Sequence, residues 1–159
     1  IIAGPGIEIG NESQVPVSGS DILPTIKDLA GKSNFKLTEI DGGSFKSILL
    51  DPSKVTVKRD IDGIFFHVPY KNGIALKRPH SAVRKGDFKL VKFQDNGELF
   101  LYNITVDKKE SSNLIFKNPK KTKELEELLM NYLKEVHAPR WQEGITWKGL
   151  PLSEINSNY

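Results

Sequence analysis

Two imidazoles, a guanidinium and a phenol fall between positions 67 and 80: His67, Tyr70, Arg78 and His80, flanking the segment Lys71-Asn-Gly-Ile-Ala-Leu-Lys-Arg-Pro79. Each can donate a hydrogen bond to a hydroxyl or to an anionic oxygen. The segment lies between two stretches that read as strands, and loops carried on a rigid sheet are where recognition usually resides. For His67 a second reading stands beside this one. It sits in the aromatic run Phe65-Phe66-His67-Val68, where a histidine can equally be an interior group with its hydrogen bonds satisfied. Arg84, inside the next strand, reads as structural.

The elements that must hold these residues are legible around them. In Phe88-Lys-Leu-Val-Lys-Phe93 apolar residues occur on both alternating sets, which marks a strand sandwiched on both faces. Asp95-Asn96-Gly97 supplies residues that tolerate positive φ, as a tight hairpin needs, and Leu99 to Tyr102 form the return strand. Gly86-Asp87 does the same one hairpin earlier. Consecutive short connections of this kind give an antiparallel meander. After it, Asn118 as N-cap and Pro119 in the first turn open a helix. Its Leu125, Leu128, Leu129, Tyr132, Leu133 and Val136 recur at helical spacing and predict a buried face, with the sheet as its partner.

The chain has 159 residues, 38% hydrophobic and 27% charged, enough for a domain with a real core and typical of a globular body. No apolar run approaches the roughly 20 residues that cross a bilayer. There is no cysteine, which excludes disulfides without fixing the compartment. The net charge is +3, and Lys108, Lys109, Lys117, Lys120, Lys121 and Lys123 gather between the last strand and the helix. They read as a solvated surface whose field would also favour an anionic polymer. Aromatics are not interleaved with them and no nucleic-acid-binding motif is present, so no nucleic-acid partner is expected.

Several segments together resemble the sulfatase family, in the family's order. Ile1-Ile-Ala-Gly-Pro-Gly6 is similar to the strand and loop after the last catalytic lysine region, and Val17-Ser-Gly-Ser-Asp-Ile-Leu-Pro-Thr-Ile-Lys-Asp-Leu-Ala-Gly31 to the "S-x-D-I-x-P-T-x-x-x-L-A-G" helix. Asp41-Gly-Gly-Ser-Phe45 resembles the "D-G-x-S-L" turn, and Phe65-Phe-His-Val-Pro-Tyr70 the "W-H-Y-P-H-Y" strand of polysaccharide-acting members, followed by Pro79-His-Ser-Ala-Val-Arg-Lys-Gly-Asp-Phe-Lys-Leu90. Tyr70 stands where a histidine is common.

The resemblance implies an α/β parent, of which this portion is α+β. It would form the end of an alkaline-phosphatase-like large sheet, followed by a small antiparallel sheet with a C-terminal helix packed on it. It implies hydrolysis of sulfate esters, on a sulfated carbohydrate, by a formylglycine made from a Cys/Ser-x-Pro-x-Arg motif beside a calcium ion. That motif and a calcium-binding acidic segment are absent from these residues. Asp95-Asn96-Gly97 reads as a turn rather than as metal ligands. No catalytic or metal residue and no bound cofactor is therefore expected here, and the catalytic N-terminal portion of the same protein becomes the expected partner. The resemblance also implies that this strand end and the loop after it border the substrate pocket, with His67 at the matched position, and that the parent is periplasmic or secreted; Tyr70, Arg78 and His80 are substrate-binding candidates because they cluster around that loop.

The expected divisions are residues 1–50 as the end of the large domain, 51–137 as the small sheet and helix, and 138–159 as an extended tail bearing Trp141 and Trp147. The opening residues, without a methionine, read as a strand cut from a larger sheet. Two other readings are a phosphodiesterase or phosphonate hydrolase of the same superfamily, against which the Phe88-to-Tyr102 meander argues, and a non-catalytic carbohydrate-binding module.

Overall fold

A computed structural model describes residues 1–31, 40–70 and 78–141. The chain forms two compact units, Ile1–Asp62 and Gly63–Tyr159.

The first unit is irregular chain around two helices, α1 (Ile22–Leu29) and α2 (Lys46–Leu50). Pro24 lies in the first turn of α1, where its missing N–H costs nothing, and Gly31, at φ +67°, follows the helix end. A buried polar cluster holds the unit together. The Asp21 carboxylate accepts the Ser18 and Gly43 amides at 2.7 and 2.9 Å and takes a two-pronged contact from Arg59 at 2.8 and 2.6 Å. Arg59 also donates to the Pro16 carbonyl, and the Thr25 hydroxyl donates to Asp21 O while accepting the Phe45 amide. Gly42 and Gly43 approach neighbouring backbone so closely that an added Cβ would fall 1.9 and 2.2 Å from the Ser20 and Lys58 carbonyl oxygens, so only glycine fits. Burial opposes ionisation of Asp21. The Arg59 and backbone hydrogen bonds, with the guanidinium charge, outweigh it and hold the carboxyl below its usual range.

No strand forms among the described residues of this unit, so Ile1 to Gly6 do not make the strand expected of them. A strand needs at least one neighbour to hydrogen-bond with, and no described residue of this unit supplies one. Helix α2 was not expected. Its five residues are too few to show a helical period, and it ends just before Asp51-Pro52.

The second unit is the expected meander. Strands β1 (Ile64–Val68), β2 (His80–Lys85), β3 (Phe88–Phe93) and β4 (Leu99–Asn103) make a four-stranded antiparallel sheet in sequence order. Gly86, at φ +57°, opens the two-residue β2–β3 turn, the place a type II′ hairpin reserves for glycine. The β3–β4 connection runs over Gln94–Glu98, wider than the tight turn expected, with Gly97 at φ +73°. Helix α3 (Pro119–Glu135) lies on one sheet face. Leu125, Leu129 and Leu133 are buried against Val83, Leu90 and Leu101, with Phe65 stacked on Tyr132 at 3.8 Å. Each large apolar side chain so buried contributes about 1.5–3 kcal/mol before entropy is subtracted. Val136, expected in this face, is 46% exposed because the helix has ended.

Asn118 caps α3 through its carbonyl, which accepts the Thr122 amide and hydroxyl, and not through its side chain. At the other end His137 adopts φ +49° and its amide bonds to Lys134 O, while the Ala138 amide bonds to Leu133 O, a Schellman closure that buries Ala138. The outer edge of β4 is covered by the side chain of Asn113, which accepts the Leu101 amide and donates to Leu99 O; the Leu114 amide adds a bond to Leu101 O. Among the described residues no helix is long and apolar enough to cross a membrane.

Candidate functional site

One end of the sheet carries all four predicted site residues: β1 finishes there, β2 starts, and the β3–β4 hairpin turns. Strand alternation divides them. His67 lies opposite Ser81 and shares the α3 side with Val83 and Leu90, whereas His80 pairs with Val68 and Phe93 on the other side.

Arg78 and His80 are brought together. The Arg78 guanidinium sits 3.9 Å over the Phe93 ring and makes bonds of 2.9 and 2.7 Å to Asp95, with a further 3.3 Å contact to Glu98. His80 Nδ1 donates to the Arg78 carbonyl at 2.9 Å, and its Nε2 has no hydrogen-bond partner among the described residues. The His80 ring lies tilted 6.1 Å from Phe93, which in turn packs edge-on to Phe100. A cation stacked on an aromatic and gripped by two carboxylates is fixed in direction. Tyr70 is half-buried just beyond β1. Of the segment Lys71–Pro79, residues 71–77 lie outside the described residues, as does the tail from 142 onward with Trp147.

His67 does not present a free ring nitrogen. Nε2 donates to the Pro139 carbonyl at 2.7 Å, and Nδ1 lies 2.9 Å from Ser81 Oγ and 3.3 Å from Gln94 Nε2. Because a carbonyl only accepts, the ring proton is on Nε2 and Nδ1 is an acceptor. Burial lowers the His67 pKa below the usual histidine value; the bond to Pro139 opposes this and the charge of His80 adds to it. The imidazole is held neutral. Arg84 lies in β2 on the side away from α3, with its Nε buried and lacking an acceptor among the described residues.

Residues 2–139 match the family described as N-sulphoglucosamine sulphohydrolase, C-terminal. The chain belongs to the sulfatase family. It is similar to arylsulfatase K of Danio rerio, 27% identical over 156 residues that cover 93% of this chain and 29% of that protein. The N-acetylglucosamine-6-sulfatase of Bos taurus is 41% identical over 61 residues, 38% of this chain and 11% of that one. Among solved structures, a protein in complex with its substrate D-glucosamine-2-N,6-O-disulfate superposes at TM-score 0.54 with 29% identity, covering 72% of this chain and 23% of that chain. A 2-O GAG sulfatase superposes at TM-score 0.60 with 26% identity, covering 84% and 28%. The chain thus spans under a third of the length of these sulfatases.

Sequence reasoning named the four ligand-type side chains of this sulfatase portion but missed their partners. Asp95 and Glu98 had a signal, since they flank the hairpin facing Arg78 and carry the opposite charge. Ser81, Gln94 and Pro139 had none, because no periodicity links positions 67, 81, 94 and 139. The described residues contain no group of three or more His, Asp or Glu side chains placed to hold a metal, and the sequence contains no cysteine.

Proposed function

We propose that this chain is the C-terminal, non-catalytic part of an enzyme that hydrolyses sulfate esters on a sulfated carbohydrate of the glucosamine type, with nucleophile and calcium supplied by the other portion of the protein. The observation that carries the reading is the similarity, over 72% of the chain at 29% identity, to a protein solved with a sulfated glucosamine in place. The sheet end at Arg78 and His80 borders the substrate. His80 is the recognition group there: its Nε2 accepts a sugar hydroxyl while the ring is neutral, and donates to a sulfate oxygen once protonated. Arg78, its charge matched by Asp95 and Glu98, keeps the approach to that nitrogen rigid. Tyr70 follows β1 at the same end of the sheet. His67, with both nitrogens engaged, positions chain rather than touching sugar.

The test has two arms. The 159-residue chain alone is expected not to hydrolyse an aryl sulfate with or without added calcium; turnover that survives repurification would overturn the division of labour. In the complete enzyme, His80→Ala should lower kcat/KM for a sulfated glucosamine by about 10- to 150-fold, the value of a hydrogen bond to a charged group, and affect a small aryl sulfate far less. Equal losses on both substrates with a lowered Tm would make His80 structural. A complete enzyme that cleaves phosphodiesters and leaves sulfate esters intact would replace the reading with the phosphodiesterase one.

A further inference from the structure

The polar groups around His67 form a closed circuit. The Trp141 amide donates to Gln94 Oε1 at 3.0 Å, Gln94 Nε2 donates to Ser81 Oγ at 2.8 Å, Ser81 Oγ lies 2.9 Å from His67 Nδ1, and His67 Nε2 donates to the Pro139 carbonyl at 2.7 Å. Both ends of the circuit are on the segment Pro139–Trp141 that follows α3, and the three groups between them belong to β1, β2 and the β3–β4 hairpin. Every link runs in one direction: each group gives one hydrogen and takes one. Only the His67 tautomer with Nδ1 bare completes it.

From this geometry we infer that the circuit is a proton-operated latch, which fastens the segment Pro139–Trp141 to the sheet while His67 is neutral and lets it go when His67 takes a second proton. Protonation makes Nδ1 a donor. Ser81 Oγ, 1% exposed, would then receive hydrogens from both Gln94 and His67, and its own hydrogen would have no acceptor in the circuit. Two donors would also face one another where Gln94 Nε2 lies 3.3 Å from Nδ1. A buried charge and an orphaned hydroxyl hydrogen are both relieved if the segment lifts and admits water. Among the described residues no carboxylate hydrogen-bonds to His67 to favour the charged form. The charged or titratable groups around it include His80 on β2, whose charge opposes protonation, Lys92 on β3, opposite Ser81 and paired with Glu126 of α3, Asp95 and Glu98 on the hairpin, both on Arg78, Arg140 within the segment, Tyr70 beyond β1, and Tyr132 and exposed His137 at the end of α3. The latch therefore opens below the ordinary histidine range.

The experiment follows the His67 ring and the Trp141 backbone amide by NMR on the full chain from pH 8 to pH 4, with the Leu101 and Leu125 methyl groups as reporters of the core. The expected result is one midpoint, below 6.5, shared by His67 and Trp141, while the methyl signals hold their folded positions. His67→Gln supplies a donor and an acceptor at the same places and cannot titrate, so it should keep the Trp141 amide in its folded position throughout. Gln94→Ala leaves the imidazole in place and should loosen Trp141 at every pH; it serves also if His67→Gln does not fold. A Trp141 amide that stays put through the His67 midpoint, that moves with His80 or His137 instead, or that moves only together with the core methyls overturns the latch.

Discussion

The two units are held by opposite means. The first buries a charge pair with only a few apolar side chains, Pro24, Phe45 and Ile48 among them: Asp21 is fully buried with Arg59 on it, while Ile22, Leu23, Ile26 and Leu29 of α1 remain about half exposed. The second buries a contiguous apolar cluster of three α3 leucines on three sheet residues. An ion pair fixes a conformation where apolar burial is scarce, but it contributes little net stability, since desolvation offsets most of the attraction. The first unit is thus well specified and weakly driven, and the second is driven by area.

Removing one partner from each unit sharpens this contrast most. Arg59→Ala strands a buried carboxylate and should cost about 3–5 kcal/mol, read as early loss of hydrogen-exchange protection in residues 16–59 with the sheet amides unchanged. Leu129→Ala removes a wholly buried side chain from the second unit and should cost about 2–5 kcal/mol, read as a lower denaturation midpoint for the sheet. If Arg59→Ala proved as mild as a surface substitution, the first unit would not rest on its charge pair.

Acid separates the units in a fixed order. In its native state His67 binds fewer protons than in the unfolded chain, so its contribution is complete above 6.5 and is lost as pH falls through its lowered value. Asp21 is likewise depressed, so its contribution is complete above 3.8 and lost only as pH falls through a value lower still. On acidification the second unit should therefore weaken first, as a fall in the urea midpoint of its sheet signals. The reverse order would show that the circuit at His67 is not stabilising. The smallest effect is expected at His137, which occupies φ +49°: His137→Gly should raise the Tm by the equivalent of up to about 1 kcal/mol, provided the helix closure is kept.

The same contrast explains what could be foreseen. The sheet and α3 were legible because local chemistry repeats: Gly86 and Gly97 at turns, Pro119 at a helix start, leucines every third or fourth residue. The Asp21–Arg59 cluster spans 38 residues of irregular chain with no period to reveal it. At the sheet end, residue types showed that His67, Arg78 and His80 are chemically capable. They did not show that both His67 nitrogens are engaged while among the described residues only Nδ1 of His80 is, because the His67 contacts depend on a serine in β2 and a carbonyl beyond α3.

The side-chain amide of Asn113 on β4 has a wider consequence. By taking the Leu101 amide hydrogen and giving its own to Leu99 O, it satisfies the row of groups that a fifth strand would otherwise seek on that side. An exposed row of this kind is a template for other chains. A chain that seeks to pair along β4 therefore meets, at Leu99 and Leu101, groups that are already bonded.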